Sequence, residues 1–280
     1  MIIDTHIHIW DLEQRQYSWL EGNTSILNRT YLLDELEEAR KEVGITGGIL
    51  VQAANHFEDM DAMLSTAATT DWIKGVVGWM PLMDPLQTAQ YLEKYRSNSY
   101  FKGVRHLIHD EPDARWLLQP SVIESLKILA AHQIPYDLVG ILPAHLSTLL
   151  EVLEQVPDLS VMIDHLNQPP ILQQEKFGEW GDLMKAIANH PRVFAKISGL
   201  GTASGDFENW TVESLKPYIH FVLEHFGVGR CVCGGDWPVS LLAGSYVKIW
   251  DAYKEILGTY LSERDQERVF YQNAVNFYQL

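Results

Sequence analysis

Two hydrophobic periods alternate along the chain. Short apolar runs rich in Val, Ile and Tyr, punctuated by Gly, Pro or Asp, are separated by longer stretches in which apolar residues recur every three to four positions. The first pattern reads as a strand and the second as an amphipathic helix. Eight strand-like runs are present, at residues 2–8, 48–52, 73–79, 102–107, 135–139, 159–165, 193–198 and 230–236. Of the intervening stretches, 31–43 places Leu32, Leu33, Leu36, Ala39 and Val43 on one side, and Gly44 ends it as a helix C-terminal residue does. Residues 120–132, 144–156 and 211–226 read as helices by the same criterion. Strands alternating with helices imply parallel strands joined by crossovers, and eight is the number that closes a (β/α)8 TIM barrel of the α/β class. An open doubly wound sheet is the alternative, but no Gly-rich dinucleotide fingerprint follows the first run. No Pro/Gly/Ser-rich linker, charge block or low-complexity tract breaks the pattern, so residues 1–280 are expected to form a single barrel domain.

Polar residues are not spread evenly over these runs. In the first, Ile3, Ile7 and Ile9 share one face of a period-2 strand, and Asp4, His6 and His8 share the other. Run two ends in Gln52, run four in Arg105 and His106, run six in Asp164 and His165, and run eight in Asp236. Run five contains Tyr136, and run seven contains Lys196 and Ser198. The carboxyl ends of barrel strands form the rim where active sites are built, so this one-sided polarity points to a site there. His6, His8, His165 and Asp236 together form a set able to hold one divalent cation. The same four groups work without metal if the imidazoles hydrogen-bond a carbonyl oxygen while the carboxylate takes a proton from water. Taken singly, His165 could be bonded to backbone and Asp236 could cap a turn; their joint placement favours a site. Arg105 and Lys196, cationic near the ends of buried strands, either pair with carboxylates around the rim or contact a substrate oxygen. Among the aromatics, Trp10 and Trp237 adjoin the proposed ligands, whereas Tyr17, Trp19 and Trp79 are read chiefly as core. His56, His109, His132, His145, His190, His220 and His225 fall mainly on helices or loops and receive no role.

Composition narrows the classes of partner. At 280 residues with 46% hydrophobic and 21% charged residues, the chain is an ordinary globular one, which excludes global disorder. A net charge of −16 repels phosphate backbones, so neither nucleic acid nor an anionic membrane is an expected partner. A small molecule is expected instead, and a homo-oligomer is compatible with the sequence. No apolar run approaches the roughly 18–20 residues of a membrane helix, and no secretory pattern is read at the start, which makes the cytoplasm the expected compartment. Cys231 and Cys233, too few for a disulfide framework, read as buried thiols.

With these residues laid out, the chain resembles the amidohydrolase superfamily, specifically the amidohydrolase-related (family 2) group that contains sugar-acid lactonases and 2-pyrone-4,6-dicarboxylate lactonase. The resemblance rests on Asp4-Thr-His-Ile-His-Ile-Trp10, Tyr17-Ser-Trp19-Leu20, Gly103-Val-Arg-His106, Asp164-His-Leu166 and Lys196-Ile-Ser-Gly-Leu200. It continues through Phe226-Gly-Val-Gly-Arg230, Gly234-Gly-Asp-Trp-Pro-Val239 and Asn273-Ala-Val-Asn-Phe-Tyr278, spanning essentially the whole chain in order. It implies a barrel with His6, His8, His165 and Asp236 around a reacting carbonyl, and Arg105 in contact with substrate. It also implies a possible single divalent cation, Zn2+ foremost, although related lactonases include members that work without metal. Lys102 begins the fourth run, away from the rim, which argues against a binuclear centre bridged by a carboxylated lysine. The expected reaction is opening of an aldonic-acid lactone such as that of L-fuconate or L-rhamnonate. Asp236 would act as base and then acid, with Arg105, Lys196, Gln52 and Tyr136 orienting hydroxyls. A dicarboxylate pyrone is less suited because no second Arg follows Arg105 in His106-Leu-Ile-His-Asp-Glu-Pro112. Other superfamily hydrolases, a decarboxylase, and a non-catalytic barrel that binds a sugar acid are the rival readings.

Overall fold

The computed structural model describes residues 1–172 and 176–280. Its strands are β1 (Ile3–Ile7), β2 (Gly47–Val51), β3 (Ile73–Gly78), β4 (Phe101–His106), β5 (Tyr136–Leu138), β6 (Val161–Ile163), β7 (Val193–Ile197) and β8 (Cys231–Cys233). They form one sheet in sequence order, each parallel to the next. β1 meets the segment after β8 through a bridge between Ile7 and Trp237. There the His8 N–H donates to the Trp237 carbonyl at 2.7 Å, and the Asp236 N–H donates to the His6 carbonyl at 2.8 Å. The (β/α)8 barrel expected from the sequence is thus the observed fold.

A helix lies in every crossover: Glu37–Val43, Phe57–Thr69, Pro85–Tyr95, Pro120–Ala131, Pro143–Gln155, Gly178–Ile187 and Val212–Phe226, with Tyr246–Tyr260 following β8. Asp84, Thr211 and Ser245 cap three of them by accepting the N–H three residues on. Their apolar stripes pack onto the outer face of the sheet in one large core. A second, smaller core fills the barrel: Ile3, Ile49, Val51, Val77, Met162 and Val232, closed from below by Ala274 and Tyr278 of the C-terminal helix Asn273–Tyr278. Among the described residues no helix is long and apolar enough to cross a membrane.

Three details differ from the sequence reading. The strands of runs six and eight stop early, at Ile163 and Cys233, so Asp164, His165 and Asp236 sit on the turns beyond them. Residues 31–36 are not α-helical: Tyr31 pairs with Trp10 in an antiparallel bridge, and Leu33–Leu36 is a 3-10 turn leading into Glu37–Val43. Asp4 does not share a face with His6 and His8, and Ile3 points into the barrel rather than to the helix side with Ile7 and Ile9. The pairing of β1 with β2 shifts register between Asp4 and Ile7, and Asp4 turns to the helix layer, where the Tyr246 hydroxyl donates to it at 2.6 Å and the Gly235 N–H at 2.8 Å. A bulge inserts a residue and so breaks the alternation on which the face assignment relied.

Cys231 and Cys233 are free and buried, as read from the sequence. Burial pushes the Cys231 thiol up to about 12 and holds Cys233 well above its ordinary value. Both should therefore resist iodoacetamide at pH 8 in the native state and label quickly in denaturant, which mass spectrometry would show directly.

Candidate active site

The centre of the site is a cluster of imidazoles at the β1–β8 seam. His8 has Nδ1 2.7 Å from the Val51 carbonyl. A carbonyl can only accept, so Nδ1 carries a proton and Nε2 faces inward, free to ligate in the Nδ1–H tautomer. That Nε2 lies 3.1 Å from Nε2 of His6 and 3.6 Å from Oδ1 of Asp236. His6 Nε2 is 3.8 Å and His165 Nε2 3.9 Å from the same carboxylate oxygen. Four groups from three distant parts of the chain therefore converge on one point. Burial lowers the pKa of His165 and takes that of His6 well below its ordinary value, so both imidazoles are neutral and able to accept or ligate.

The turns that carry these groups are unusual in their backbone. His165, Leu166, Asn167 and Gln168 are four successive residues at φ between 48° and 53°, and none is glycine. Left-handed conformation costs an L-residue about 1–2 kcal/mol, and such strain persists where the surroundings over-determine it. Here the Trp180 indole donates to the Leu166 carbonyl at 2.7 Å, the Asn167 amide donates to the Leu142 carbonyl at 3.1 Å, and Ser198 Oγ lies 2.8 Å from His165 Nδ1. The turn swings His165 and Gln168 over the barrel. Opposite them Gly199, at φ 59°, has no room for a side chain, because a Cβ there would stand 2.6 Å from His165 Nδ1 and 2.8 Å from Asp236 Oδ2.

Beneath the imidazoles lies a buried layer of charge. Lys196 Nζ is 2.8 Å from both Asp137 Oδ2 and Asp164 Oδ1 and 3.3 Å from His6 Nδ1. Arg105 Nη1 reaches Asp164 Oδ2 at 3.1 Å and His6 Nε2 at 3.3 Å, and the Tyr278 hydroxyl donates to Asp137 at 2.7 Å. Burial opposes ionisation throughout, but the Lys196 and Arg105 cations, with a His6 hydrogen bond, outweigh it at Asp164 and hold that carboxyl well below the usual range. Asp137 faces only one of those cations, and burial lifts it to about 6. Against its own burial, Lys196 is raised above free lysine by the two carboxylates.

Above the cluster opens a cavity of about 460 Å3 whose polar lining includes His8, Arg105, His165 and Asp236. His6 sits directly below them, fully buried. The other sequence candidates stand outside the lining. Gln52 accepts from Arg105 Nε at 3.0 Å and steadies that guanidinium. Lys196, fully buried in its ion pairs, follows the internal-pairing reading, whereas Arg105 satisfies both readings, paired below and exposed to the cavity above. Tyr136 is in register with Val104 and Val161, one residue out of phase with Arg105 and Asp137, and belongs to the outer core. Trp10 packs on Trp19 and Tyr31 and donates to the Arg29 carbonyl, and Trp237 packs edge-on against Tyr31. Lys196, Tyr136, Trp10 and Trp237 therefore do not line the cavity, contrary to the substrate contact expected from the sequence. Trp19 and His109, which the sequence left as core and as a residue without a role, do line the cavity. The one available signal for His109 was its place three residues past a strand end.

The donor set fits one metal ion. Two ligands on one zinc with bonds of about 2.0–2.1 Å stand about 3.3 Å apart at a tetrahedral angle, close to the His6–His8 separation, and suitable ligand atoms of His6, His165 and Asp236 lie within 4.8 Å of one another. Lys102 donates to the Gln279 carbonyl beside the C-terminal plug, far from a bridging position.

A barrel with this seam of histidines and an aspartate defines a hydrolase-type site, and comparison with known proteins gives its family. The amidohydrolase family model matches residues 3–280, so the chain belongs to the amidohydrolase family. An L-fucono-1,5-lactonase from Burkholderia ambifaria is 30% identical over 99% of this chain and 95% of its own length. An L-rhamnono-gamma-lactonase from Scheffersomyces stipitis is 24% identical over 100% and 98%. The crystal structure of an amidohydrolase from Burkholderia multivorans with bound zinc superposes with a TM-score of 0.93 at 26% identity, covering 100% of this chain and 99% of that one.

Proposed function

We propose that the protein hydrolyses the ring ester of a sugar-acid lactone, with Asp236 as general base and then general acid. The observation that carries this is the convergence of the Asp236 carboxylate with Nε2 of His6, His8 and His165 at 3.6–3.9 Å on the cavity floor. The lactonase names of the two relatives support the substrate class. His6, His8, His165 and Asp236 would hold one divalent cation, with zinc favoured by the neighbouring Burkholderia structure. When bound, such an ion supplies Lewis acidity to the carbonyl oxygen and lowers the pKa of an attacking water.

The chain's own groups do the rest. Asp236 takes a proton from the water whose oxygen forms a bond to the carbonyl carbon. The bond from that carbon to the ring oxygen then breaks, and Asp236 returns the proton to the departing alkoxide, giving the open hydroxy acid. Arg105, reaching the cavity from its pairing with Asp164 and Gln52, binds a substrate oxygen without moving, because its other donors are already engaged. His109, Gln168 and Thr202 stand where ring hydroxyls can be bonded.

A proton-release assay over a panel of aldonolactones, run before and after chelation, tests the reading. Hydrolysis of at least one member, reduced more than tenfold by chelator and restored by Zn2+, is expected. A panel with no turnover, alongside release of CO2 from an aromatic acid, would favour a decarboxylase instead. In the same assay Gly199→Ala should lower kcat by at least about tenfold, since the new methyl drives His165 and Asp236 apart.

A further inference from the structure

The cavity is larger and more apolar than the reacting end of a sugar lactone needs. It measures about 460 Å3, whereas a closed cavity of roughly 150 Å3 suffices to hold benzene. A monosaccharide lactone with its hydroxyls is larger than that ring but still leaves part of the space free. Seven polar residues line it, His8, Arg105, His109, His165, Gln168, Thr202 and Asp236, and the rest of the wall includes Trp19, Leu107, Val139, Ile141, Phe207 and Val239. Two of these are open to solvent at the mouth: Ile141 is 37% and Phe207 43% exposed. Hydroxyls placed against those six apolar side chains, rather than against His109, Gln168 or Thr202, would lose water without gaining partners. Hydrocarbon placed there would cover exposed apolar side chains.

We infer that the outer half of the cavity is a subsite for an apolar substituent, so the substrate is a lactone carrying a hydrocarbon group on its ring. This rests on the lactonase reading. The substituent packs between Ile141 and Phe207 while the ring ester lies on the His8, Arg105 and Asp236 floor. It sets specificity through apolar burial alone, because none of the six wall residues brings a charge.

The test is a homologous series of δ-lactones bearing methyl, propyl or pentyl at the carbon next to the ring oxygen, with D-glucono-1,5-lactone as the polar comparator. On the intact protein kcat/KM should rise about fourfold per methylene over the first few carbons, the value expected for full burial of each. Phe207→Ser, at a residue exposed enough for the fold to tolerate it, should lower kcat/KM for the pentyl lactone at least tenfold more than for the methyl one. A response that is flat in alkyl length, or restricted to gluconolactone, overturns the inference and leaves the lactonase reading standing. Equal losses for both lengths in Phe207→Ser also overturn it. Absence of turnover on every lactone, including aldonolactones, overturns both.

Discussion

Replacing Asp236 with Asn is expected to yield a folded barrel whose kcat falls by about three orders of magnitude or more. The amide matches the carboxylate in size, and the structural bonds at this position belong to the backbone: the Asp236 N–H to His6 and the Asp236 carbonyl to the Ser240 N–H. Those survive the change, so circular dichroism and Tm should stay near wild type. What disappears is the ability to take a proton from water and hand it to the ring oxygen, and removal of a positioned base typically costs 10²–10⁴ in rate. Because the interaction develops only in the transition state, kcat should carry most of the loss, with KM little changed. Near-wild-type turnover of the Asn variant on a competent lactone would remove Asp236 from the mechanism and leave the imidazoles to explain hydrolysis alone.

The second large effect is on stability. Lys196→Met keeps the aliphatic stem but removes the cation that two buried carboxylates share. Asp164 retains Arg105, but the fully buried Asp137 keeps only the Tyr278 hydroxyl. Breaking a buried pair from one side costs about 3–5 kcal/mol, which for a chain of this size lowers Tm by roughly 10 °C. The double variant Lys196→Met with Asp137→Asn should recover part of the loss, since it removes the orphaned charge. A Tm for Lys196→Met within about two degrees of wild type would show that this layer is not ionised as drawn. If instead the single variant folds but loses activity, a changed kcat at constant KM would assign Lys196 to positioning His6 through Asp164.

The sequence carried the architecture well and the interior poorly. All eight strands were legible because Val- and Ile-rich runs bounded by Gly, Pro or Asp have few other uses, and the helix at Pro120–Ala131 followed from its apolar spacing. His6, His8, His165 and Asp236 were legible as a set because each stood at the carboxyl end of a run. Tyr136 was misassigned for a physical reason: a strand buried on both faces shows no polar–apolar alternation, so nothing marked Asp137 as the inward residue. The bulge that turns Asp4 toward Tyr246 depends on a partner more than two hundred residues away. The left-handed run from His165 to Gln168 was equally silent, because no glycine announces it and the restraining groups, Trp180, Leu142 and Ser198, come from elsewhere in the fold.

Because His6 rides on β1, His8 directly follows it and the carboxylate follows β8, the reactive constellation exists only once the first and last staves are zipped together. Turnover therefore reports closure of that seam during renaturation. After dilution from urea, helical signal and tryptophan emission can recover while the seam is still open, and catalysis should lag behind both. The same logic makes half-barrels separated between β4 and β5 individually inert, with activity returning only when the two pieces are mixed.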